Sequence, residues 1–258
     1  MEQPTDIGPR RRRRSEDLIF VLPNLFTTAN LFAGFYSILS GIKGNWNNAA
    51  LAIVIAGFLD GLDGRIARMT KTQTAFGEQY DSMSDLMSFG VAPSLLMYHW
   101  ALAPYGRLGW FASFMYLTCA ALRLARFNVL KQTTEKRYFQ GCPSPVAAGT
   151  VASAVLFYRE FNFEAWKSVY MLIVMFVLAV SMVSTIHYRS FKDTSLFAQK
   201  KFGYLVMILA FVVLLSTFPE RLCFPIAVAY VAAGPITAFY RWTRRRRLRP
   251  WRRGGVHT

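Results

Sequence analysis

The chain has 258 residues, of which 53% are hydrophobic and only 17% are charged. Its mean hydropathy of +0.26 excludes an ordinary soluble globular domain and indicates an integral membrane protein. The net charge of +16 would suggest nucleic acid as the partner of a soluble protein, but here the basic residues concentrate at the chain ends and in a few loops. That distribution favours contact with anionic lipid headgroups, so we expect the lipid bilayer, and no nucleic acid, as a partner.

Eight segments approach the length of about 20 apolar residues that a membrane-spanning helix needs. The sequence therefore predicts an all-α fold, a polytopic transmembrane helix bundle of about eight spans. In chain order the predicted spans cover about 19–42, 48–68, 80–100, 108–128, 145–160, 166–186, 202–218 and 223–242. We assign 1–18 to a basic N-terminal segment, 19–242 to one membrane domain and 243–258 to a basic tail, and we expect the ends, 1–15 and 244–258, to be disordered.

The distribution of lysine and arginine predicts the orientation of the spans. An even number of spans places both termini, with the basic runs at 10–14 and 244–253, on the same side. On that side also lie 69–79, 129–144 and 187–201, which carry more basic residues than the loops on the opposite side. Because loops rich in lysine and arginine stay in the cytoplasm, we expect cytoplasmic termini.

Four aspartates interrupt the second and third predicted spans. Asp60 and Asp63 fall near the cytoplasmic end of one span, and Asp81 and Asp85 near the cytoplasmic start of the next. Since a helix turns about 100° per residue, each pair lies on a single helix face. The face of the first pair also carries Gly64, Ala67 and Arg68. Two such faces opposed to each other would bring four carboxylates into one pocket.

Four carboxylates cannot all remain ionised in a low dielectric without positive charge. A proton shared within a pair is one solution, and divalent cations are another. The stretch 58–90 contains no cysteine or histidine, so its hard oxygen ligands favour Mg²⁺, Ca²⁺ or Mn²⁺ over zinc. A pair of metals bridged by carboxylates serves displacement at phosphorus. Charge placement alone leaves open an ion pathway through the membrane or a structural role in the bundle.

The order of these residues resembles the signature of a known enzyme family. Eight fixed positions, spread over 26 residues, read D-x-x-D-G-x-x-A-R, eight further residues, and then G-x-x-x-D-x-x-x-D; they are Asp60, Asp63, Gly64, Ala67, Arg68, Gly77, Asp81 and Asp85. This pattern is similar to that of the CDP-alcohol phosphotransferase family, with every signature position filled.

Further stretches resemble one branch of that family, the phosphatidylserine synthases of the membrane-spanning bacterial type. These stretches are LPNLFTTANLFAGF at 22–35, FGEQYDSMSDLMSFGVAP at 76–93, ALRLARFNV at 121–129 and CPSPVAAG at 142–149. Many family members carry an arginine three residues after the threonine of P-N-x-x-T, whereas this chain has Asn30 there. That departure matches the serine-using branch. The resemblance covers about 18–150, and the last three spans are matched by hydropathy alone.

The resemblance implies that CDP-diacylglycerol and L-serine react to give phosphatidylserine and CMP, in the bacterial cytoplasmic (inner) membrane and with the active site facing the cytoplasm. Two divalent ions, Mg²⁺ or Mn²⁺, would be held by Asp60, Asp63, Asp81 and Asp85, and Asp85 would also accept the proton of the serine hydroxyl. The residues implied for CDP-diacylglycerol binding are Asn24, Thr27, Gly64, Ala67, Arg68 and Gly77. A homodimer is also implied.

The serine carboxylate needs a cation, and the inner end of span four offers two arginines. We interpret Arg123, Arg126, Asn128 and Ser144 as candidate serine-binding residues. The alternatives are a different acceptor alcohol, a lipid with ether chains, a divalent-cation transporter, or a noncatalytic scaffold. A transporter would need polar side chains that continue to the outer face, whereas the aspartates cluster at one boundary.

Overall fold

The computed structural model describes residues 10–70, 74–133, 141–160, 169–184 and 221–234, and for 10–23 and 131–133 it describes the backbone alone. Within these ranges every regular element is a helix, which agrees with the predicted all-α fold. The helices are α1 (Arg10–Ile42), α2 (Trp46–Thr70), α3 (Ala75–Tyr105), α4 (Arg107–Thr133), α5 (Ser144–Glu160), α6 (Val169–Val183) and α7 (Arg221–Gly234).

Each predicted span that falls on described residues coincides with one of these helices. The seventh predicted span, 202–218, lies outside the described residues, as do the tail 244–258 and the end of the eighth span beyond Gly234. By length and apolar composition, three described segments are able to cross a membrane: Asn24–Ile42, Ala75–Tyr105 and Arg107–Leu130. Val169–Val183 and Arg221–Gly234 are shorter apolar helices.

The start of α1 corrects one expectation. The sequence predicts disorder up to residue 15, whereas the helix already begins at Arg10 and includes the arginine run 10–14. The costly step of helix formation is nucleation, and the apolar part of α1 supplies the nucleus. Arginine has a high helix propensity, so the helix continues backwards through the basic residues at little cost.

Local sequence explains where the helices around the site begin and end. At the end of α1, Gly44 has φ +76°, and the amides of Gly44 and Asn45 donate to the carbonyls of Gly41 and Ser40 at 3.0 and 2.9 Å. This is a Schellman ending, in which glycine takes the left-handed conformation without a steric penalty. Thr74 caps the start of α3, because its Oγ1 accepts a hydrogen bond of 3.0 Å from the amide of Gly77.

The third helix is not regular along its length. Two π-helical turns, Leu86–Val91 and Tyr98–Leu102, interrupt it, and a 3₁₀ turn, Ala103–Tyr105, ends it. π-Turns inside α-helices occur frequently at functional sites. The first of them follows directly after Asp85, the last aspartate of the signature.

Small residues let the helices approach closely. On α2 the buried side chains are Ala49, Ala50, Ala52, Ile53, Ala56 and Asp63. Of these, Ala49, Ala50, Ile53 and Ala56 pack in a core with residues of α1, α3 and α5. A second core joins α3 to α4, α5, α6 and α7. Large apolar side chains such as Phe32, Phe58 and Phe114 are exposed at the perimeter. Small residues between helices and large apolar residues outside them are expected of a bundle surrounded by lipid.

Candidate active site

The aspartates of α2 and α3 meet in one cluster. Carboxylate oxygens of Asp60, Asp63 and Asp81 all lie within 4.8 Å of one another. The side chain of the fourth, Asp85, interacts with that of Asp60. The pocket of opposed carboxylates that the spacing predicts is therefore formed between the two helices. Such groups need a shared proton or cations between them, because their negative charges repel one another.

Two side chains of α1 donate hydrogen bonds to this cluster, one to an aspartate of α2 and one to an aspartate of α3. Thr27 is buried, and its Oγ1 donates to Asp63 Oδ2 at 3.1 Å. Asn30 lies one turn further along α1, and its Nδ2 donates to Asp85 Oδ1 at 3.3 Å. One face of α1 therefore orients one carboxylate from each of the two acidic helices.

The residues expected to contact the nucleotide lie on α2 after the first two aspartates and at the start of α3. Arg68 is exposed, and its guanidinium turns back over Gly64: a Cβ atom on Gly64 would lie 3.5 Å from Arg68 Nη1. Ala67 is half-buried. Gly77 has a packing role as well, since a Cβ atom there would lie 3.1 Å from Thr74 Oγ1 and 3.5 Å from Asn24 Oδ1. The absence of a side chain at Gly77 lets the start of α3 lie against α1.

The four candidate serine-binding residues do not form a single group. Arg123 donates from Nη1 to Ser144 Oγ at 2.6 Å and interacts electrostatically with Asp85. Asn128 donates to Ser82 Oγ at 3.0 Å, beside the aspartate at position 81. Arg126 donates at 3.4 Å to the carbonyl of Val183, the last residue of α6. Arg123, bonded to Ser144, therefore interacts with the acidic cluster at Asp85.

The match to a family model covers more than half of the chain. Residues 20–186 match the model described as CDP-alcohol phosphatidyltransferase. The chain belongs to the CDP-alcohol phosphatidyltransferase family. The family match extends beyond residue 150, where the sequence resemblance was expected to end. It includes all four aspartates of the cluster and both helices that carry them.

Individual relatives with curated names point to one branch of the family. The chain is 39% identical over 175 residues to the CDP-diacylglycerol–serine O-phosphatidyltransferase of Helicobacter pylori (strain ATCC 700392 / 26695), which covers 67% of this chain and 74% of that protein. It is 30% identical over 234 residues to the protein of the same name in Mycobacterium leprae (strain TN), covering 88% and 77%. It is 37% identical over 171 residues to the archaetidylserine synthase of Methanothermobacter thermautotrophicus (strain ATCC 29096 / DSM 1053 / JCM 10044 / NBRC 100330 / Delta H), covering 65% and 69%.

The sequence did not lead us to two serines of α3 that hold this helix against α1. Ser84 Oγ donates to the carbonyl of Thr27 at 3.0 Å, and Ser88 Oγ donates to the carbonyl of Asn30 at 2.9 Å. The two serines are one turn apart and buried, on the side of α3 that meets α1. Their spacing of four residues, which places both on one helix face, could have indicated this contact. Asn30 was noted in the sequence only as a departure from the family pattern, although its side chain bonds Asp85.

Proposed function

We propose that this protein transfers the phosphatidyl group of CDP-diacylglycerol to L-serine, giving phosphatidylserine and CMP. The observation that carries the proposal is the cluster of four aspartates, built from the family signature on α2 and α3 and oriented by α1. Two relatives named for this reaction, at 39% and 30% identity, supply the choice of serine as the acceptor.

The donor set fits hard divalent cations. Carboxylate oxygens within 4.8 Å of one another on Asp60, Asp63 and Asp81, with Asp85 beside Asp60, match the ligands that Mg²⁺ and Mn²⁺ prefer. We infer that these four residues hold two such ions, which when bound neutralise the diphosphate and stabilise CMP as a leaving group. Thr27 and Asn30 fix the orientation of the Asp63 and Asp85 carboxylates, so that little reorganisation is needed when the ions bind.

The nucleotide and diphosphate would approach along the face of Gly64, Ala67 and Arg68. Arg68 lies over Gly64 and is exposed, so its guanidinium is able to leave Gly64 and pair with a phosphate oxygen while the glycine admits the nucleotide. Asn24 and Gly77 lie together where α1 meets the start of α3, and Thr27 follows one turn after Asn24. We assign these six residues to CDP-diacylglycerol binding.

Asp85 is the proposed catalytic residue, because it interacts both with Asp60 of the acidic cluster and with Arg123. In the reaction, the serine oxygen forms a bond to the phosphorus that carries the diacylglycerol, and the bond from that phosphorus to the CMP oxygen breaks. The serine hydroxyl proton passes to Asp85. Arg123 and Ser144 would bind the serine carboxylate. Asn128 and Arg126 remain further serine-binding candidates, although their hydrogen bonds are to Ser82 and Val183.

The proposed function includes a membrane topology. We infer eight spans in a membrane domain, 19–242, flanked by basic cytoplasmic segments at 1–18 and 243–258, with the active site facing the cytoplasm across the bacterial inner membrane. The charge distribution supports this orientation, and so does the position of Asp60 and Asp63 near the end of α2 that leads to the basic loop 69–79. The same family membership supports a homodimer.

A single assay separates this function from its alternatives. The detergent-purified protein is supplied with CDP-diacylglycerol, labelled L-serine and Mg²⁺ or Mn²⁺, and CMP is measured. Release that requires both serine and the divalent ion supports the synthase. Metal uptake into liposomes without CMP release would instead support a transporter, and neither activity would support a scaffold.

The lipid and acceptor are tested in the same assay. A different lipid donor is also tested, because one relative is named archaetidylserine synthase. Comparing CDP-diacylglycerol with its ether-linked analogue, at equal serine, measures the preference directly. Replacing serine with glycerol 3-phosphate tests the acceptor, and we expect CMP release to fall to background.

A further inference from the structure

Two buried polar atoms beside Asp85 have no hydrogen-bond partner among the described residues. One is the side-chain oxygen of Asn30, Oδ1, and the other is the Nε–H of Arg123. The first accepts a hydrogen bond and the second donates one. Burying such an atom without a partner costs free energy, so each requires an explanation.

Asn30 is held so that its oxygen cannot turn towards Asp85. Its side chain is fully buried, and its Nδ2 donates to Asp85 Oδ1 at 3.3 Å. Because a carboxylate oxygen accepts and the amide nitrogen donates, this bond fixes which end of the amide faces Asp85. Ser88 donates to the backbone carbonyl of Asn30 at 2.9 Å and holds the main chain. The amide oxygen is therefore held in a fixed position, with no hydrogen-bond partner among the described residues.

Arg123 is the complementary group on α4. Its Nη1 is engaged by Ser144, it interacts electrostatically with Asp85, and its Nε–H remains available. The surroundings of Asp85 thus contain one free neutral acceptor and one free cationic donor.

We propose that Asn30 Oδ1 accepts a hydrogen bond from the α-ammonium group of the acceptor amino acid, while Arg123 binds its carboxylate. The inference rests on the proposed function, and it names the residue that selects an amino acid over a hydroxy acid. Serine presents three groups to this region: a hydroxyl for Asp85, an ammonium for Asn30 and a carboxylate for Arg123. An acceptor without the ammonium group leaves the Asn30 oxygen buried and unsatisfied, which is how hydrogen-bonding sites reject analogues.

The test separates binding of the ammonium from support of Asp85. Asn30→Leu removes both the acceptor and the donor, whereas Asn30→Asp keeps an acceptor oxygen and removes the donor to Asp85. We expect Asn30→Leu to raise the KM for serine at least about tenfold, the size of one hydrogen bond to a charged group. Asn30→Asp should keep the serine KM within about threefold of the original while lowering kcat, and neither variant should change the KM for CDP-diacylglycerol.

If both variants lower kcat and leave the serine KM unchanged, Asn30 acts only by positioning Asp85, and the proposal is wrong. Asn47→Leu, at the opposite end of α2, is the matched control and should behave as the unmodified protein. A failure of the proposed function itself appears earlier, as an unmodified protein that releases no CMP when serine is added.

A second measurement needs no variant, so it is able to overturn the proposal even if Asn30→Leu does not fold. The competitor 3-hydroxypropanoate has the hydroxyl and carboxylate of serine but lacks the ammonium group. Against serine, its inhibition constant should exceed the serine KM by at least about tenfold. Equal affinities would overturn the proposal.

Discussion

Thr27 on the first helix donates a hydrogen bond of 3.1 Å to Asp63 on the second, although the two residues are 36 positions apart in the chain. Both side chains are buried, so water does not replace this bond when it is lost. The threonine of the P-N-x-x-T stretch therefore acts on the acidic cluster directly, by orienting one carboxylate.

Replacing Thr27 with valine keeps the shape of the side chain and removes this donor. We expect kcat/KM for CDP-diacylglycerol to fall by about tenfold or more, because hydrogen bonds to charged groups contribute about 1.5–3 kcal/mol. Thr118→Val is the matched control, since the Thr118 hydroxyl bonds only to Phe114 of its own helix in the described contacts. Equal activity in the two variants would show that Thr27 does not orient the carboxylate.

Replacing Gly64 with alanine tests the nucleotide approach without disturbing the fold. The added methyl group would lie no closer than 3.5 Å to its nearest neighbour, the flexible end of Arg68. The variant should therefore fold normally, and we expect its KM for CDP-diacylglycerol to rise at least about tenfold if the ligand contacts the glycine backbone. Gly61→Ala on the same helix, where a Cβ atom meets nothing within 4 Å, should leave that KM unchanged. An unchanged KM in both variants would place the nucleotide elsewhere.

Gly34 tests the packing of α1 against the acidic helix. A Cβ atom at Gly34 would lie 2.8 Å from the Cα atom of Ser88, and backbone cannot move aside cheaply. We expect Gly34→Ala to destabilise the protein by about 1–3 kcal/mol, as overpacking does, and to lower its melting temperature in detergent. Gly149→Ala on α5, where nothing lies within 4 Å, should leave the melting temperature unchanged or slightly higher. A stable, fully active Gly34→Ala protein would contradict the close contact.

Much of this arrangement could be predicted from the sequence. The pairing of the aspartates followed from helical periodicity, because residues three or four apart must share a face. The bonds from Thr27, Asn30, Ser84 and Ser88 did not follow from it, since they depend on how deeply α1 packs against α2 and α3. The same limit applies to the two arginines of α4, Arg123 and Arg126, which periodicity places on nearby faces but which bond to different helices.

Because Arg123 and Arg126 make different contacts, we expect their substitution to change the serine KM by different amounts. Arg123→Lys loses the planar guanidinium that bonds Ser144 at 2.6 Å, so we expect it to raise the serine KM at least about tenfold and the CDP-diacylglycerol KM much less. Arg126→Lys should have a smaller effect on the serine KM, because its guanidinium donates to the carbonyl of Val183. Arg107→Lys, at the exposed start of α4, is the control and should change neither constant. A larger effect from Arg126→Lys would reverse the assignment.

The most direct measurement is anomalous diffraction from crystals of the protein grown with Mn²⁺ and CDP-diacylglycerol, compared with crystals of Asp81→Asn prepared in the same way. We predict two anomalous peaks between Asp60, Asp63, Asp81 and Asp85 in the unmodified protein, and loss of at least one of them in the variant, with loss of CMP release. A bound nucleotide with no anomalous peak among these four side chains would show that they do not form a two-metal site.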